Sequence, residues 1–65
     1  MTKRHFEAIA QTLRDEFEAT LPSADPAFIR GAAYALEETA KSLADYFARI
    51  NPNFDRDKFL TACGL

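Results

Sequence analysis

A single cysteine and a single histidine in 65 residues remove several classes of protein at once. Cys63 alone forms no intrachain disulfide, and with His5 as the one imidazole a His/Cys metal centre lacks ligands. There is no glycine-rich phosphate loop and no histidine pair for zinc. No apolar run approaches the ~20 residues of a membrane span, and the N-terminus lacks the apolar stretch of a signal peptide. Basic residues are not in excess either: eight Lys and Arg stand against ten Asp and Glu, for a net charge of −2. Lys3-Arg4-His5 is the one basic cluster, so no broad positive field draws in nucleic acid or an anionic membrane. The expectations are a cytoplasmic protein with no cofactor, no metal, no nucleic-acid partner and no membrane. One unpaired cysteine fits such a reducing compartment.

What the chain does have is a regular apolar pattern. Ile29, Leu36, Leu43 and Ile50 fall seven residues apart, with Ala33, Ala40 and Phe47 four residues after the first three. This is the seam of a long helix that packs in coiled-coil fashion. In the first segment Phe6, Ile9, Ala10, Leu13, Phe17 and Leu21 recur at three- and four-residue steps, which predicts an amphipathic helix over about 2–20 with Thr2 as N-cap. Leu21-Pro22-Ser23-Ala24 breaks it. Asp25-Pro26 restarts the chain, since the carboxylate can accept from free amides and proline suits the first helical position.

The second helix is expected over about 26–50, ended by Asn51 in a left-handed conformation and by Pro52. Asp55 caps a short third helix, about 56–63, with Phe54 and Phe59 at the spacing of a hydrophobic staple. Gly64 supplies its terminating residue. The fold expected is therefore all-α and single-domain, residues 1–65: an antiparallel helical hairpin plus a C-terminal helix. The first helix covers the N-terminal two-thirds of the second, and the third folds back so that Phe54 and Phe59 meet Phe47, Ile50 and Phe6. Ile29, Leu36, Leu43 and Phe47 are the expected core of the second helix.

A second stripe runs along that helix. Phe28, Ala32, Ala35, Thr39, Ser42 and Tyr46 share the three/four spacing, rotated by about 100° from the seam. A hairpin with a short hook cannot cover both, and a domain of this size buries only roughly 60% of its unfolded surface. The stripe is thus a candidate self-association face, a dimer being the simplest assembly.

Chemically active constellations are sparse. His5 and Glu7 lie two apart on a helix and point in different directions, so they do not form an acid–base pair. Cys63 sits at the C-terminal end of its helix, where the dipole raises a thiol pKa. Asn51, Asn53, Asp55 and Asp57 alternate like the start of a calcium loop. However, Arg56 stands where the loop needs glycine and Ala62 where it needs the bidentate glutamate. They read as turn formers and caps, and the chain is not expected to be an enzyme. Glu37–Lys41 and Asp45–Arg49 are expected i,i+4 ion pairs on a solvated face. Tyr34 stands among these charges and is a candidate anchor for a protein partner.

The C-terminal run Asn51-Pro52-Asn53-Phe54-Asp55-Arg56, followed by Phe59, Ala62, Cys63 and Gly64, resembles the ending N-P-x-F-D-R-x-x-F-x-x-A-C-G of short proteins of tailed bacteriophages and prophages. Phe6-Glu7-Ala8-Ile9-Ala10 with Leu13-Arg14 is similar to their opening. The resemblance implies a phage-encoded protein acting in a bacterial cytoplasm and carries over no catalytic residues. The function expected is a small accessory or regulatory protein that self-associates and binds another protein. Two alternatives stay open: a helix-turn-helix-like DNA-binding regulator, and a structural component of phage assembly.

Overall fold

The computed structural model describes residues 2–22 and 25–65; Ser23 and Ala24, in the expected break between helices, lie outside the described residues. Three helices follow in order, α1 (Lys3–Thr20), α2 (Pro26–Ile50) and α3 (Arg56–Ala62), and no strand occurs among the described residues. α2 and α3 begin where an aspartate supplies oxygen for free amides. Asp25 Oδ1 accepts from the amides of Ala27 and Phe28 at 3.0 and 3.4 Å, and Asp55 Oδ1 from that of Lys58 at 3.0 Å. At α1 the Thr2 amide donates to His5 Nδ1 at 3.1 Å. The imidazole thus takes the place that Glu or Gln holds in a capping box.

The ends are equally local. Gly64, at φ 91°, is the positive-φ residue among those described. Its amide donates to the Thr61 carbonyl and the Leu65 amide to the Leu60 carbonyl, each at 3.0 Å, which is the Schellman pair of bonds. Asn51 does not adopt the expected left-handed conformation: it is extended, at φ −140° and ψ 104°. The reason is Pro52, whose ring pushes the preceding residue into the extended region. Asn51 Oδ1 then accepts from the Asn53 amide and the Asn51 carbonyl from the Phe54 amide, both at 3.0 Å, turning the chain back toward α1.

That turn brings four phenylalanines together from four segments. Phe6 of α1 lies 4.8 Å, centroid to centroid, from both Phe47 of α2 and Phe54 of the turn. Phe59 of α3 lies 5.5 Å from Phe47 and from Phe54. The pairs are tilted or edge-on, each contributing roughly 0.5–1.5 kcal/mol beyond its area. The staple is thus closed. Phe6 against Phe47 also fixes α1 and α2 as antiparallel.

The core is this end of the molecule. Phe6, Ala10 and Leu13 of α1, Ala40, Ala44 and Phe47 of α2, and Phe59 and Cys63 beside or within α3 are buried. Ala10, Ala40 and Ala44, at 0–1% exposure, let the helices approach closely. The expected core of α2 needs correcting: of Ile29, Leu36, Leu43 and Phe47, only Phe47 is buried, the other three being half-buried, and Ile50 is 50% exposed. A strict seven-residue repeat drifts by ~20° per heptad on a straight helix, about 60° from Ile29 to Ile50. Without a supercoiled partner to follow, the repeat turns out of the core, and Ala44 takes the place that the drift vacates.

The N-terminal half of α2 differs for a second reason. Residues 26–39 include no buried side chain. Two helices alone can bury only the line along which they touch, whereas α3 closes the other end with a third element. The molecule is accordingly a rod of 41 × 17 × 14 Å with three helices at one end and two at the other.

Candidate functional site

The fold leaves the outer face of α2 exposed. Phe28 and Tyr46 are 57% and 49% exposed. Ala35, Thr39 and Ser42 between them are exposed and Ala32 is half-buried. All six predicted self-association residues therefore share one helical face, exposed at each of these positions except the half-buried Ala32. Ile50 was not expected here, but its drift out of the core delivers it to the edge of the same face; the seven-residue spacing, compared with 3.6 residues per turn, carried that signal. The face is uncharged at every one of these positions. Tyr46 is steadied from below by the Phe47 ring at 6.0 Å and flanked by the Arg49 guanidinium, 5.8 Å from its centroid.

Arg49 is thereby drawn away from its expected partner. Asp45 instead pairs with Arg56 at 2.9 Å, tying the first turn of α3 to α2, because the folded-back helix brings a guanidinium nearer than the next turn of α2 does. Glu37–Lys41 forms as expected, at 3.2 Å, and Lys41 also reaches Glu38 at 3.9 Å. Tyr34 stands 66% exposed beyond these charges, lining a shallow dent with Ala27, Arg30 and Gly31. It faces away from the Phe28–Tyr46 stripe, so the structure does not bring the two predicted surfaces together.

A second concavity was not anticipated. Between the start of α1 and α3 lies an open groove of about 520 Å³, floored by Phe6, Phe54 and Phe59 and edged by Lys3, Glu7, Asp55 and Lys58. The staple spacing of Phe54 and Phe59 gave the floor, but only the extended Asn51 sets the groove beside α1. Its mixed rim gives no preference for either sign of charge.

The polar candidates have local occupations. His5 holds Thr2, and Asn51 and Asp55 hold backbone amides, as turn formers and caps do. Cys63 is fully buried, and desolvation pushes its thiol above the ordinary value, away from a reactive thiolate. Among the described residues no three His, Cys, Asp or Glu side chains converge as a metal site would require, and no helix is long and apolar enough to cross a membrane. What the arrangement offers chemically is apolar contact along a rigid helix. Comparison with protein families, curated proteins and solved structures finds no match.

Proposed function

We propose that this protein is a small interaction module, acting by contact rather than catalysis, that self-associates through the outer face of α2 and binds a further protein partner. One observation carries the reading: α2 displays Phe28 and Tyr46 about half exposed on an uncharged face, while residues 26–39 of the same helix include no fully buried side chain. Large exposed aromatics on an otherwise small-residue helix face are what an interhelical contact requires, with close backbone approach between bulky anchors. Tyr34, on the opposite side, stays available to a partner of different sequence. The resemblance of the ending Asn51–Gly64 to short phage proteins supports an accessory or regulatory role in a bacterial cytoplasm.

The DNA-binding reading is weaker. α3 has seven residues, its Arg56 is engaged with Asp45, and Asp57 stands beside Lys58, which leaves little cationic surface for phosphates. Sedimentation equilibrium at tens of micromolar tests the proposal. Wild type is expected to contain dimer and Ala35→Arg to be monomeric yet still helical, while Glu38→Arg, on the solvated side, changes little. A monomeric wild type at that concentration refutes self-association.

A further inference from the structure

Resting on that reading, we infer that the occupant of the α2 face is a second copy running antiparallel, in one register centred on Glu37. The face is a palindrome in side-chain size. Phe28 and Tyr46 are equidistant from position 37, as are Ala32 and Ser42, and Ala35 and Thr39. A two-fold axis at that point therefore sets Phe28 against the partner's Tyr46, Ala32 against the partner's Ser42, and Ala35 against the partner's Thr39. Every layer joins like sizes. Aromatics close both ends and only small side chains lie between them, which lets the helices approach closely about the axis.

A parallel pair also joins like sizes, since each residue then faces its own copy, but it stacks Phe28 on Phe28 and Tyr46 on Tyr46, aligns the two helix dipoles, and abuts both α3 hooks at one end. The antiparallel pair opposes the dipoles and places the thick three-helix end of one rod beside the thin two-helix end of the other. That complementarity of shape follows from the uneven thickness of the fold.

Charge and area agree with this occupant. None of the six paired positions is charged and the chain carries only −2, so two copies meet without like charges in the centre of the contact. Phe28 and Tyr46 each leave roughly 100 Å² open, given side chains of their size. With Ile50 and the small residues the face offers on the order of 450 Å² per copy, about 900 Å² for the pair, which falls among weak, reversible interfaces. A weak, reversible dimer is the consequence.

Cysteine cross-linking reads the register directly. In the antiparallel pair Ala32 faces the partner's Ser42, while the two copies of Ala32 are offset by about 15 Å along the axis, too far for a disulfide. The variants Ala32→Cys and Ser42→Cys keep both aromatic anchors and leave the buried Cys63 in place, with unsubstituted protein as control. Mild oxidation of an equimolar mixture is expected to give a mixed disulfide dimer at least tenfold faster than either variant gives a dimer with itself. Efficient self-linking of each variant alone would establish a parallel register and overturn the inference while leaving self-association standing. A dimer by sedimentation that forms no cross-link of either kind would place the contact on another face and overturn it equally. Monomer under both methods would overturn the underlying reading as well.

Discussion

Replacing Phe47 by alanine removes the buried ring through which α2 meets both α1 and α3. Its ring is 3% exposed and lies 4.8, 5.6 and 5.5 Å from the rings of Phe6, Phe54 and Phe59. Truncating a buried phenylalanine costs about 3–5 kcal/mol through lost transfer energy and the cavity left behind. A chain of this length possesses roughly 3–10 kcal/mol in total. Phe47→Ala should therefore be unfolded or nearly so at 37 °C. Phe47→Leu, which keeps most of the volume but loses three ring pairs, should cost less than Phe47→Ala, about 1.5–4 kcal/mol. Leu36→Ala is the internal comparison. Leu36 packs against the core but is only half-buried, so its cost should lie at or below the lower end of the usual 2–5 kcal/mol. Urea titrations followed by circular dichroism, at one low protein concentration, give the three values. Leu36→Ala proving costlier than Phe47→Ala would refute a core centred on the aromatic end and restore the heptad seam as the organising element.

Further predictions concern single positions. Gly31 lies within α2 and a Cβ there meets nothing within 4 Å, so Gly31→Ala should raise stability by about 0.5–1 kcal/mol; a loss would show that something docks in the dent beside Tyr34. Cys63 should react with a thiol reagent only as the protein unfolds, at a rate that increases with urea; rapid labelling of the native protein would contradict its burial. Because burial raises the folded thiol's pKa, the folded state holds its proton where the unfolded state has lost it. Stability should fall as pH rises above the ordinary thiol value of about 8.5, and Cys63→Ala should flatten that slope.

Much of the fold was legible because its signals are local. Asp25-Pro26, Asp55 and Gly64 each act on backbone within a few residues, and a cap or a staple needs no knowledge of the rest of the chain. The errors lie where two elements compete for one residue. Arg49 and Arg56 compete for Asp45, and the winner depends on where α3 lands. Pro52 and the helix end compete for the conformation of Asn51, and the proline ring prevails. The rotation of Ile50 out of the core is a third case, since a heptad stays on one face only if the helix supercoils around a partner. The outer stripe of α2 was legible as a pattern and its exposure follows from the fold; the antiparallel occupant proposed for it rests on the sizes paired about Glu37 together with the uncharged face and the uneven thickness of the rod.

The thermal midpoint as a function of protein concentration tests the central claim most directly, because the self-association proposed for the α2 face would stabilise the folded state by mass action. For a dissociation constant of about 10 µM, raising the concentration from roughly 1 to 100 µM would add about 1 kcal/mol. For a chain of this length that is a rise of about 4–8 °C, and Ala35→Arg should show none. A wild-type midpoint that stays constant across this range would contradict the account.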